Sequence, residues 1–212
     1  MERNRSVKTV IFDIGNVLVS FHSRPFVRRA FGEDEKTASH VMDAVFGSGL
    51  WNELDLGVIP EDEVLRMMID RDPEYEKEIR RIYDSVGQII TRENHAIPWV
   101  RAVKKGGFRV LFLSNYSRHA MDSNPGALDF LPLMDGGIFS CDVKLVKPDS
   151  RIYRLLMYRY RLNPEECLFI DDNPDNIAAA DKLGLNTLRC LDFRQAQEDA
   201  RDILGLDCEI YE

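Results

Sequence analysis

Four stretches far apart in the sequence hold residues that could do chemistry. In "VIFDIGNVLV", Val10 to Val19, an apolar run delivers one carboxylate, Asp13, and then turns over Gly15. A carboxylate at the end of a buried strand suits a nucleophile. Attack on phosphorus would give an aspartyl phosphate and split one hard displacement into two easier ones. "FIDDNPDN" closes a second apolar run with two adjacent acids, Asp171 and Asp172. Such acids repel unless a cation neutralises them, and oxygen donors of this kind suit Mg2+, which prefers carboxylates, water and phosphate. Asp172 would also serve as N-cap for a helix starting near Pro174 and Asp175, but capping does not require acids at both positions. "SNYS" follows a third apolar run and places the Ser114 hydroxyl and the Asn115 backbone N–H to hold a phosphate oxygen. In "KLVKPD", Lys147 supplies a point charge to offset Asp13 and a negative transition state, with Lys144 the lesser alternative.

The elements that must position these residues are legible as patterns. Strands are expected at "TVIFD" (9 to 13), "RVLFLS" (109 to 114), "GIFSC" (137 to 141), "CLFID" (167 to 171) and "NTLRC" (186 to 190). Helical patterns such as "SRIYRLLMYRYR" and "NPDNIAAADKLG" separate the later ones. Strands apolar on both faces and alternating with helices predict an α/β fold, a parallel sheet covered on both sides. The polar groups gather where strands end, which is where open α/β sheets bind ligands. From about 22 to 95 the pattern is helical without strands: "RPFVRRAF", "EKTASHVMDAVFG", "PEDEVLRMMIDR" and "EYEKEIRRIYDSVGQII" space apolar residues by three and four. This predicts a helical cap inserted after the first strand. Pro60 followed by Glu61, Asp62 and Glu63 marks a helix start there.

Composition limits the partners. The chain has 212 residues, 44% hydrophobic and 30% charged, and no run near the roughly 18 apolar residues of a membrane span. A net charge of -8 opposes binding to nucleic acid or anionic membrane surfaces. A small anionic substrate remains compatible if a metal or a local lysine provides the positive field. The charged N-terminus MERNRSVK lacks the apolar segment of a signal peptide. Cys141, Cys167, Cys190 and Cys208 are widely spaced without CxxC or His partners, against a zinc site or a disulfide framework. A soluble protein of the reducing cytoplasm, monomer or weak homodimer, is the expectation.

The order Asp13, Ser114, Lys147, Asp171 and Asp172 resembles the haloacid dehalogenase superfamily over nearly the whole chain. The resemblance implies a Rossmann-like core over 1–20 and 96–212, and a helical cap over 21–95. It also implies roles: Asp13 as nucleophile and metal ligand, Gly15 giving a backbone carbonyl to Mg2+, Ser114 and Asn115 binding phosphate, and Lys147 stabilising charge. Asp172 would be the direct metal ligand, with Asp171 acting through water. "FDIGNVLV" together with Trp51, Glu53 and Gly57 looks most like the branch containing bacterial glucose-1-phosphate phosphatase. A Mg2+-dependent phosphatase of a small phosphorylated metabolite is therefore expected, with a sugar phosphate such as glucose 1-phosphate as substrate. Trp51, Asn52 and Glu53 are candidates for the cap's substrate-contacting loop, and Trp51 equally for the cap's core. Most phosphatases of this family carry a second Asp two places after the nucleophile, which protonates the leaving alkoxide. Gly15 cannot do that, and His22, just beyond the turn, is the candidate replacement. Two alternatives stay open: a 2-haloacid dehalogenase, which attacks carbon without a metal, and a catalytically weak protein that binds phosphate and Mg2+.

Overall fold

The computed structural model describes residues 7–206. Residues 1–6 and Cys208, which entered the expectations about a leader and about thiols, lie outside them. Five parallel strands form the central sheet: β1 (Thr9–Phe12), β4 (Arg109–Ser114), β5 (Gly137–Phe139), β6 (Cys167–Asp171) and β7 (Asn186–Arg189), in the order β5-β4-β1-β6-β7. β1 lies at the centre, with Phe12 in register with Phe112 on one side and Ile170 on the other. The strand pleat sorts its side chains between two cores. Val10 and Phe12 point to one face, with Trp99 of α6 (Ala96–Lys105) edge-on to Phe12 at 4.9 Å and Ala196 and Ala200 of α11 (Phe193–Leu204) in the same core. Ile11, Leu111 and Phe169 point to the other, against Ile152 and Leu156 of α9 (Ser150–Tyr160) and Ala180 of α10 (Pro174–Asp181). Each fully buried side chain of this size contributes about 1.5–3 kcal/mol. Burial on both faces is what the continuous apolar runs predict.

Between β2 (Val19–Phe21) and β3 (Ile90–Arg92) lie α1 (Ser23–Phe31), α2 (Glu35–Met42), a π-helical turn over Asp43–Gly47, α3 (Leu50–Leu56), α4 (Glu61–Arg71) and α5 (Glu76–Asp84). The antiparallel pair β2–β3 ties the two ends of this excursion together, Val19 facing Arg92 and Phe21 facing Ile90. That pair corrects the expectation of a strand-free stretch, and with it the single helix drawn through "SVGQII". The helix stops at Asp84, a 3-10 turn covers Val86–Gln88, and the chain extends at Ile90. Three-residue strands are too short to show a period of two. "GIFSC" is shortened as well: its strand ends at Phe139, and Ser140 opens a brief helix, α8 (Ser140–Val143). The remaining helix, α7 (Arg118–Ser123), follows β4 and is capped by Ser117. No helix among the described residues is long and apolar enough to cross a membrane.

Candidate active site

β1, β4 and β6 are neighbours, so their carboxyl ends bring Asp13, Ser114 and Asp171 together without any further device. Asp13 follows the last residue of β1, and its backbone N–H donates to Ile170 O at 2.8 Å. Its Oδ1 accepts from the Ile14 N–H at 2.6 Å and lies 2.9 Å from Lys147 Nζ. Lys147 Nζ also donates to Asp171 Oδ2 at 2.6 Å. These three groups are enclosed: Asp13 is 7% exposed, Lys147 4% and Asp171 0%.

Their electrostatics follow from that enclosure. Burial is the largest influence on Asp13 and, with Asp171 beside it, pushes its carboxyl up to about 7 against the pull of Lys147. Burial alone would lower the Lys147 ammonium, but Asp13 and Asp171 outweigh it and hold the group above the ordinary lysine range. Lys144, the lesser alternative, is exposed and donates to Gly57 O instead. Its backbone sits only three residues away, yet the ion pair belongs to Lys147. The Asn115 side chain explains part of this placement. It accepts from Lys147 N at 2.8 Å and donates to Lys147 O at 3.0 Å, clamping the lysine backbone beside the site. Asn115 therefore spends its side chain on Lys147, and only its backbone is left for a phosphate. Ser114 Oγ lies against Asp13 and lowers its proton affinity slightly, but it is wholly buried and has no hydrogen-bond partner of good geometry among the described residues.

The acid pair divides its labour. Asp171 is saturated: besides Lys147, it accepts from Asn173 N at 2.9 Å and from Asn176 Nδ2 at 3.0 Å and 3.1 Å. Asp172 is half-buried and accepts from Asn16 Nδ2 at 3.1 Å. Burial raises its pKa, with Asp171 adding to the effect. The N-cap of α10 is Asn173, which accepts from Asp175 N at 2.8 Å, so capping does not account for Asp172. Asp13, Asp171 and Asp172 each offer an oxygen, all within 4.8 Å of one another. Three carboxylates facing one ammonium leave an excess of negative charge, and an all-oxygen donor set of that charge fits Mg2+.

A hydrolase family model matches residues 7–184, described as haloacid dehalogenase-like hydrolase. The chain belongs to this family. Among its relatives are drimenol cyclase DrtB of Aspergillus calidoustus, 24% identical over 96% of this chain and 38% of that protein, and (S)-2-haloacid dehalogenase 4A of Burkholderia cepacia, 32% identical over 41% and 38%. The chain thus spans about two fifths of the length of these relatives. Solved structures share the fold. A HAD-like family hydrolase of Porphyromonas gingivalis superimposes with a TM-score of 0.68, at 22% identity over 87% of this chain and 91% of that one. A HAD-family enzyme of Bacteroides thetaiotaomicron, solved in complex with magnesium and inorganic phosphate, gives 0.63 at 18% identity over 86% and 93%.

The remaining expected residues fare differently. Gly15 lies beside Asp13 with an ordinary backbone, and a Cβ built on it meets nothing within 4 Å. His22 is exposed at the N-cap of α1, its backbone bonded to Ile89 and Phe26, and none of the contacts of Asp13 reach it. The stretch Trp51–Glu53 lies in the first turn of α3 rather than in a loop. Trp51 packs at 5.4 Å from Phe21 and 5.1 Å from Phe46, a core role. One turn further on the same helix is a residue that sequence reasoning missed. Asp55 is half-buried; burial, with the charge of Asp13 next, pushes its carboxyl up to about 7, while Lys147 and the Ser117 N–H pull it down. An acid four residues after Trp51 shares its helix face, and that spacing was the available signal.

Proposed function

We propose that this protein is a Mg2+-dependent phosphomonoesterase of small phosphorylated metabolites, with Asp13 as nucleophile. The observation that carries this reading is the buried Lys147 bridging Asp13 and Asp171, with Asp172 completing an anionic oxygen set on one side of the nucleophile. A haloacid displacement at carbon has no use for that excess of acid, whereas a phosphoryl group arriving with its cation does.

In this mechanism the Asp13 carboxylate attacks phosphorus as the bond to the leaving oxygen breaks, and water later displaces the phosphoryl group from Asp13. Lys147 pulls the Asp13 carboxyl toward its ionised form and holds it in place, and offsets charge on the phosphoryl oxygens. The Ser114 hydroxyl, a buried donor without a good internal partner, takes up one of those oxygens, joined by the Asn115 N–H. Asp13, Asp172, the Gly15 carbonyl and, through water, Asp171 would hold Mg2+, which would neutralise phosphoryl charge and favour the ionised form of Asp13. The B. thetaiotaomicron enzyme, with magnesium and phosphate on the same fold, is in keeping with this reading. Residues 21–95 act as the cap that selects the substrate, and residues 1–20 and 96–212 form the catalytic core. Sugar phosphates are the proposed class, glucose 1-phosphate among them, because an anomeric leaving group is less basic than an ordinary alkoxide and asks less of whatever group takes over the proton transfer that Gly15 does not perform.

The second reading, a 2-haloacid dehalogenase, is favoured by Gly15 and by the Burkholderia relative. Phosphate release from a panel of sugar and other metabolite phosphates, with Mg2+ or with EDTA, separates the two when paired with halide release from 2-chloropropionate. Mg2+-dependent phosphate release is expected. Halide release without phosphate release from any ester would replace the proposal with the dehalogenase.

A further inference from the structure

An alkoxide leaving group needs a proton; Gly15 carries none to give, and the exposed His22 is not among the groups bonded to the Asp13 carboxylate. Resting on the phosphatase reading, we infer that Asp55 of α3 is the general acid–base residue of this site, delivered by the inserted helices instead of by the turn after β1.

Its placement is built rather than incidental. α3 ends at Leu56, and Gly57 follows in the left-handed conformation, φ 64°, lying so close to α8 that a Cβ there would stand 3.1 Å from Cys141 Cβ and 3.2 Å from Cys141 Cα. Only glycine takes both that angle and that approach without strain. Core groups then grip this end of the helix. Ser140 Oγ donates to Asp55 O at 2.5 Å and Lys144 Nζ donates to Gly57 O, while the Ser117 N–H lies near enough to the Asp55 carboxyl to favour its ionised form. Ser140 Oγ is itself fixed by accepting from Tyr116 N at 3.0 Å. The carboxyl is thereby held against the loop that begins at Ser114, close enough for the charges of Asp13 and Lys147 to act on it. Beside it lies a second unused group. Tyr116 Oη is buried, feels the charge of Asp55, and has no hydrogen-bond partner among the described residues.

The proton balance closes. As the bond from phosphorus to the leaving oxygen breaks and the bond to the Asp13 oxygen forms, the Asp55 carboxylic acid gives its proton to that oxygen. The resulting Asp55 carboxylate then takes a proton from the water that attacks the aspartyl phosphate, which restores both acids. A carboxyl that burial keeps partly protonated near neutral pH is suited to both steps.

The test is the leaving group. Wild type, Asp55→Asn and the double variant Gly15→Asp/Asp55→Asn would be assayed in saturating Mg2+ on 4-nitrophenyl phosphate and on a primary alkyl phosphate. Asp55→Asn should lose about 100- to 10,000-fold in kcat on the alkyl ester but within about tenfold on the aryl ester. The double variant should regain at least tenfold on the alkyl ester, because the space at Gly15 is open. Equal losses on both esters, or no loss, would overturn the role of Asp55. Should Asp55→Asn not fold, as judged by its urea midpoint, wild type still decides. Its rates across phenols and alcohols of rising pKa should be nearly level, and a steep fall would overturn the inference. Failure of wild type to release phosphate from either ester overturns the phosphatase reading itself, and the inference with it. A wild type active on both esters confines any failure to Asp55.

Discussion

Replacing Lys147 with Met is the most informative perturbation of the fold's electrostatics. The side chain is 4% exposed, its Nζ bridges Asp13 at 2.9 Å and Asp171 at 2.6 Å, and the ammonium lies 5.5 Å from the Phe169 ring centroid. Met preserves most of the apolar stem and removes only the charge and its hydrogen bonds. Two enclosed carboxylates are then left facing each other. Breaking a buried pair by removing one partner costs about 3–5 kcal/mol, a large share of a domain's usual stability of about 5–15 kcal/mol. With a urea m-value of about 2–3 kcal/mol/M, the midpoint should fall by about 1–2.5 M at pH 7.5 without metal. The deficit should shrink as pH falls, because a stranded carboxyl that takes up a proton relieves at most about 1.4 kcal/mol per pH unit. Millimolar Mg2+ should also recover part of it, since a cation replaces the lost charge. Urea titrations followed by circular dichroism at pH 7.5 and 5.5, with Lys182→Met as the exposed control, make the comparison. A shift below about 0.5 M, indistinguishable from the control, would refute Lys147 as the buried counter-ion of the site.

Further outcomes follow from the same geometry. Metal-free protein should lose stability as pH rises from about 4 to about 7. The Asp13 carboxyl is raised from 3.8 to about 7 by burial, so in that window the native state binds more protons than the unfolded state, with a ceiling of about 4 kcal/mol from this group. Thermal melts from pH 4 to 8 in EDTA check this, and Mg2+ should flatten the dependence. Asp172→Asn should weaken Mg2+ binding by tenfold or more while moving the metal-free urea midpoint little. Asp171→Asn should instead destabilise the metal-free protein, because it removes the charge paired with Lys147 and one of the two oxygens that Asn176 Nδ2 shares; calorimetric Mg2+ titration and urea unfolding of each variant distinguish the two. Gly57→Ala should cost about 1 kcal/mol or more, from the left-handed backbone and the contact with Cys141, measurable in the melting temperature.

The core was largely legible before any coordinates, and the reasons are physical. Strands β1, β4 and β6 are apolar on both faces, β4 and β6 end in a polar residue and β1 is followed by one, so each announced its chemical end. The parallel direction of those strands follows from helices alternating with strands, whereas their order does not. β2 and β3 were not legible, because three residues carry no period and their pairing, Val19 with Arg92, spans the whole helical insertion. Asn115 illustrates a different limit. Its type and position pointed to phosphate, yet its side chain is spent on the backbone of Lys147, a contact across 32 positions that no local pattern encodes. Asp55 was hidden for a related reason: an acid on an amphipathic helix reads as solvated surface until the helix end is seen docked on Ser140 and the Ser117 loop.

The central claim is that Asp13 accepts a phosphoryl group. The most direct test is mass spectrometry of acid-quenched protein after brief exposure to a turned-over phosphate ester with Mg2+. A phosphoryl adduct on the peptide containing Asp13, absent in EDTA and absent from Asp13→Asn, is the predicted result. Phosphate release without any such adduct, or an adduct that persists in Asp13→Asn, would contradict it.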